Sequence, residues 1–162
     1  MPDAHYLAAA VGWLGLGDCV EANAELERIA PELQTHPDVL NVRWAIYAKA
    51  EQWDKAAAFA NIFRDTHREE PQAWIHLAYA TRRQAGGGLA PAKDILVKAQ
   101  QLFPNEPIIP YNLACYDCQL GDLNAARQWL QKACAVGDAK SVIRMAAADP
   151  DLAPLREEIG KT

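Results

Sequence analysis

Residues 37–70 read PDVLNVRWAIYAKAEQWDKAAAFANIFRDTHREE. Pro71 then opens a second stretch, PQAWIHLAYATRRQAGGGLAPAKDILVKAQQLFPNE (71–106), with the same order of large and small residues. One step of 34 residues back from Pro37 reaches Asp3, and a step of 36 forward from Pro71 reaches Pro107. Four repeats therefore fill most of the chain, at about 3–36, 37–70, 71–106 and 107–136. A fixed period of this length marks an array of small units, each covering the apolar face of its neighbour.

The slots can be read repeat by repeat. The third repeat carries Trp74, Leu77, Ala78, Ala92, Leu96 and Ala99 and closes on Pro104. The fourth, YNLACYDCQLGDLNAARQWLQKA over 111–133, supplies Leu113, Ala114, Gly121, Ala126, Leu130 and Ala133. The second has Leu40, Tyr47, Trp53, Ala56 and Phe63, with Trp44 where a small residue is expected. The first has Tyr6, Ala10, Trp13, Gly17, Ala22 and Leu26. This pattern resembles the tetratricopeptide repeat, a helix-turn-helix unit with the signature W-x-x-L-G-x-x-Y, A-x-x-x-F, P. The resemblance covers roughly 3–136. It implies an all-α fold, a right-handed α-solenoid of four repeats, and one domain over 1–162 with capping helices over 138–160.

Two departures have mechanical readings. Gly86, Gly87 and Gly88 lengthen the turn of the third repeat and account for its two extra residues, since glycine accepts conformations that other residues resist. Pro31 falls inside the expected second helix of the first repeat. It removes a donor and clashes with the preceding turn, so that helix should kink or end near Ala30.

Composition agrees with a helical array. Half of the 162 residues are hydrophobic, alanine and leucine dominate over β-branched types, and the formal charge is -5. The acidic balance argues against a nucleic-acid or anionic-membrane surface, which needs clustered cations; Arg82–Arg83 is the local exception. The opening MPDAHYLAAAVGW lacks a basic leader and no apolar run is long enough to span a bilayer, which predicts a cytoplasmic protein. Four cysteines fit a reducing compartment, where they behave as small buried hydrophobes.

After Gly137 the repeat stops, and Val142, Ile143, Met145, Leu152, Leu155 and Ile159 predict two short amphipathic helices. Asp149–Pro150 suits the start of the second, aspartate as cap and proline at the first helical position. ADPDLAPLRE resembles the closing segment after the last repeat of many bacterial tetratricopeptide proteins. Its expected role is to cover the open end of the array; folding into the groove or onto a partner is the alternative.

No constellation points to catalysis, a cofactor or a metal. Cys115 and Cys118 form a CxxC in mid-helix, away from the helix N-terminus that lowers a redox thiol's pKa, and Cys19 and Cys134 lack zinc-ligand spacing. His5, His36, His67 and His76 share no pairing and read as surface or half-buried residues. Gly86–Gly88 lack the Lys-Ser/Thr of a phosphate loop. Glu69–Glu70 and Glu157–Glu158 are adjacent and diverge around their helices. Trp13, Trp53 and Trp74 fall on framework slots, while Trp44 and Trp129 are freer.

The resemblance implies that the first helices of successive repeats line a concave groove. Its expected residues are Leu7, Val11 and Leu14, then Asn41, Ala45 and Lys49, then Ile75, Tyr79, Arg82 and Arg83, then Tyr111, Cys115, Cys118 and Gln119. Such a groove suits a peptide of an unidentified partner protein, with apolar anchors and an acidic group. The two-carboxylate clamp of chaperone-tail adaptors is not expected: its slots hold Leu7, Val11, Val42, Gln72 and His76. An interaction module is the leading expectation. A self-associating homo-oligomer, a small secretion-type chaperone and, remotely, a thiol redox protein are the alternatives.

Overall fold

A computed structural model describes residues 3–156. Among these residues there are helices and turns and no strand. The chain divides into two compact halves, Met1–Gly88 and Leu89–Thr162. The division follows the three glycines and falls inside the third repeat.

The first half holds α1 (Ala4–Leu16), α2 (Cys19–Glu27), α3 (Pro37–Lys49), α4 (Trp53–Thr66) and α5 (Pro71–Thr81). Pro37 and Pro71 stand in the first turns of α3 and α5, where a missing N–H is harmless and φ is already helical. The slot filled by Ala10 in α1 is filled by Ala78 in α5, and both are fully buried. A neighbouring helix approaches closely over a methyl group. In α3 the same slot holds Trp44, which is too large to enclose there; its indole lies against α5 instead, stacked on His76 at 3.8 Å with the planes 4° apart.

Pro31 has the predicted effect slightly early. α2 ends at Glu27, and a single 3-10 turn, Pro31–Leu33, follows. Broken helix ends leave carbonyls to be satisfied. The Gln34 side chain donates to the carbonyls of Leu26 and Ile29, at 2.8 Å each. Buried Arg43 fixes that amide, donating to Gln34 Oε1 and to Glu27 Oε1, both at 2.6 Å.

The turns within repeats share one left-handed residue. Gly17 (φ 88°) and Gly121 (φ 87°) end α1 and α7, and each is followed by a capping aspartate. In the second repeat the slot holds Glu51, the one non-glycine with positive φ (55°) among the described residues. A side chain there costs about 1–2 kcal/mol, partly offset by glycine's larger entropy when unfolded. Glu51→Gly is therefore expected to stabilise the chain by about 0.5–1 kcal/mol in urea denaturation; a loss of stability would contradict this account. In the third repeat, Gly87 lies so near the end of α5 that a Cβ would sit 1.9 Å from the Thr81 carbonyl oxygen.

The second half holds α6 (Leu89–Leu102), α7 (Ile108–Leu120), α8 (Leu123–Val136), α9 (Ala139–Ala148) and a 3-10 segment, Pro150–Leu155. Ala92, Ala114, Ala126 and Ala133 are fully buried small slots. Asp122, Asp138 and Asp149 accept from backbone N–H groups at Ala125, Ser141 and Asp151, starting α8, α9 and the 3-10 segment. The second C-terminal helix begins at Asp149–Pro150 as expected, as a 3-10 segment over Pro150–Leu155, and Arg156 after it is α-helical. Pro154 lies inside it, and a proline cannot donate the bond that would continue an α-helix. The predicted Ile159 and the Glu157–Glu158 pair lie outside the described residues.

Candidate functional site

In the first half, α1, α3 and α5 enclose an open pocket of about 470 Å³ lined by Leu14, Asn41, Val42, Trp44, Ala45, Gln72 and His76. Its position follows from the misfit of Trp44 described above. The indole leaves the small slot and meets His76, which is only 7% exposed. The expectation that all four histidines are surface or half-buried therefore fails at His76. Burial holds its imidazole pKa down at about 3, so the ring is neutral near pH 7. Gln72 Nε2, a donor, stands 2.7 Å from His76 Nε2. That nitrogen must accept, which leaves the ring proton on Nδ1.

From the pocket an aromatic row runs on along the same half. Trp44 meets Tyr79 edge-on at 5.8 Å, and Tyr79 lies 5.9 Å from Trp53. The Arg83 guanidinium lies 3.6 Å above the Tyr79 ring and 5.2 Å from that of Trp53, and it donates to the Tyr79 carbonyl at 3.1 Å. Arg82 and Arg83 are not on α5, which ends at Thr81; they belong to the turn leading to the glycines. The Ala85 N–H bonds Asp54 Oδ1 at 3.2 Å and ties that turn to the start of α4.

The groove residues expected from the sequence are dispersed. Leu14, Asn41 and Ala45 line the pocket, and Tyr79 (36% exposed) and Arg83 form the row beside it. Leu7 packs on the core of the first two repeats, and Ile75 is buried. Val11 and Lys49 are exposed away from the pocket lining. Val42, Trp44, Gln72 and His76 were missed as contact residues. The oversized Trp44 is the visible signal in the sequence; Val42, Gln72 and His76 stand there at clamp positions that lack the clamp residues.

In the second half, the chain's own C-terminal segment lies over the expected groove residues of α7. Tyr111 donates its hydroxyl to Asp149 Oδ2 at 2.8 Å, the Cys115 sulfur is 3.6 Å from the same oxygen, and Gln119 Nε2 donates to the Asp151 carbonyl at 3.0 Å. Tyr111, Cys115 and Cys118 are buried, as are Leu152 and Leu155 of the segment. Burial and the Asp149 contact push the Tyr111 phenol pKa up, and burial with Asp151 nearby raises that of the Cys118 thiol. Neither group is prepared to ionise near neutrality, and a raised thiol pKa disfavours nucleophilic chemistry. Among the described residues no three His, Cys, Asp or Glu side chains gather as metal ligands would, and no helix is long and apolar enough to cross a membrane.

No protein-family model matches the chain, and no curated protein is similar to it in sequence. Solved structures are similar in fold. A thermophilic TPR protein of Thermus thermophilus superposes with a TM-score of 0.76 at 18% identity, covering 98% of this chain and 84% of that one. A MamA structure from Desulfovibrio magneticus RS-1 gives 0.69 at 16% identity over 83% and 75%, and MamA of MSR-1 gives 0.64 at 20% over 84% and 76%.

Proposed function

From a fold of the tetratricopeptide-repeat type, we propose that this chain is a non-catalytic interaction module that captures a segment of a partner protein on its first half. The observation that carries the reading is the row of Trp44, Tyr79 and Trp53, with the pocket at one end, exposed Tyr79 at its centre and the Arg83 guanidinium over Tyr79 and beside Trp53. Aromatic side chains and arginine supply most of the energy at protein interfaces. A segment with an apolar or aromatic anchor and a carboxylate a few residues away fits this row, the carboxylate meeting Arg83. The scaffold alone specifies no partner. The acidic composition and the free thiols suit work in the cytoplasm.

Labelled protein applied to an array of extended peptides tests the reading. Tyr79→Ala and Arg83→Glu are each expected to weaken the peptides that bind by about tenfold or more, without changing helicity or melting temperature. Binding that survives both substitutions would place capture elsewhere. Self-association is favoured by a separate observation, the exposure of Leu16 (80%), Val20 (77%) and Val11 (51%) on α1 and α2. Light scattering decides it: a strict monomer from micromolar to higher concentrations ends that reading.

A further inference from the structure

The 3-10 segment Pro150–Leu155 sits on α7 as a docked peptide would. Leu152 and Leu155 are buried, at 0% and 1% exposure, while Pro150, Ala153 and Pro154 are exposed. Side chains of α7 add polar contacts to these two anchors: Tyr111 donates to the Asp149 carboxylate, and Gln119 donates to the Asp151 backbone carbonyl. Asp149 serves twice, since its other oxygen accepts the Asp151 N–H at 2.9 Å and starts the 3-10 turn. The groove therefore reads an acidic residue, a backbone carbonyl, and leucines three and six positions after the acid, the combination of spaced apolar anchors and polar contacts by which grooves take up short helical segments.

The segment's own conformation contributes little to holding it there. It is six residues long, 3-10 turns have poor hydrogen-bond geometry, and helices this short are not stable by themselves. Its order comes from the groove, so its release costs those contacts alone, a local opening of the kind that precedes global unfolding. Release uncovers Tyr111, Cys115 and Cys118, all now buried and all groove positions in the repeat pattern. Tethered through α9, the segment competes at an effective concentration on the order of millimolar. A second segment of the same chemistry has to displace it, and its apparent affinity is reduced by the fraction of time that the groove stands open.

We propose that the α7 face of the second half is a peptide-binding groove held shut by the chain's own C-terminal segment, and that the partner which opens it presents the same chemistry: an aspartate followed by proline, with leucines three and six positions beyond the aspartate. A segment of another protein is the occupant, because each copy of this chain already fills its groove with its own. The site lies in the second half and does not rest on capture by the first.

The test uses the full chain and a fluorescent peptide of residues 148–156, ADPDLAPLR, read by anisotropy. Asp149→Ala and Leu152→Ala each loosen the resident segment and leave α7 intact. With the parent's helicity retained, both are expected to bind the peptide saturably and at least about tenfold more tightly than the parent does. Replacing the peptide's first aspartate by alanine, or adding Tyr111→Phe to the Asp149→Ala chain, is expected to weaken binding about tenfold, as loss of a hydrogen bond to a charged group does. No saturable binding to either folded variant, binding no tighter than the parent's, or binding undiminished by the alanine peptide and by Tyr111→Phe overturns the proposal. Loss of helicity in both variants overturns it as well, because the segment is then a permanent part of the core. A parent that light scattering shows to be a dimer, and that becomes a monomer in Leu152→Ala, would make a second copy the occupant and overturn the assignment of the partner.

Discussion

Lys93→Met is expected to destabilise the second half by about 3–5 kcal/mol, the range for stripping a buried charge of its partner. Asp117 is fully buried in α7, and the Lys93 ammonium of α6 is its ion-pair partner, bonded to Oδ1, while Oδ2 has none. Without Lys93 the enclosed carboxylate loses its counter-charge. The lysine side chain is 31% exposed, so water reaching the gap places the result towards the lower end. Lys93→Met/Asp117→Leu removes both charges and is expected to recover most of the loss, because an apolar pair of similar volume replaces an ion pair at little cost. Urea denaturation of the three proteins measures this; a Lys93→Met chain within about 1 kcal/mol of the parent would mean that the pair contributes no more than a surface contact.

Stability is also expected to fall as the medium is acidified from pH 6.5 towards 3, with His76 as the cause. Burial depresses its folded pKa to about 3 from the ordinary 6.5. Between those values the unfolded chain binds a proton that the folded chain does not, so protons favour unfolding and stability rises with pH across the window. At pH 5 the contribution amounts to about 2 kcal/mol, at about 1.4 kcal/mol per pH unit below 6.5. Tyr111 and Cys118 are shifted upward and do not titrate in this window. His76→Leu keeps a similar volume and removes the titrating group, so its stability should change much less between pH 7 and 5. An equal decline in both proteins would assign the acid sensitivity to other groups.

Much of the fold was legible because its causes are local. Pro37 and Pro71 mark helix starts through the geometry of one ring. The Gly17–Asp18 and Gly121–Asp122 turns join consecutive helices with a left-handed residue and a cap. Ala10, Ala78 and Ala114 recur at the repeat spacing because helices approach closely over methyl groups, and all three are fully buried. The break at Pro31 was foreseen. Its repair was not: Gln34 and Arg43 act on carbonyls and side chains several residues to a full helix away.

The candidate site was legible in part. Asn41, Tyr79 and Arg83 came from family slots, and those slots assume that every repeat presents its first helix alike. Trp44 breaks the assumption by leaving the small slot and stacking on His76, which gathers Val42, Gln72 and His76 around a pocket that no spacing announces. In the second half, Asp149 reaches Tyr111 across 38 residues of sequence and brings the C-terminal segment over α7.

By itself the sequence determined the period, the helices, their caps and turns, and the small slots, since each depends on residues within one or two turns of chain. Only the tertiary structure decided which expected groove positions stay open and which are covered, and which polar atoms are left without partners. Those outcomes depend on where one oversized side chain and one closing segment come to rest, and that is settled by packing between residues far apart in the chain.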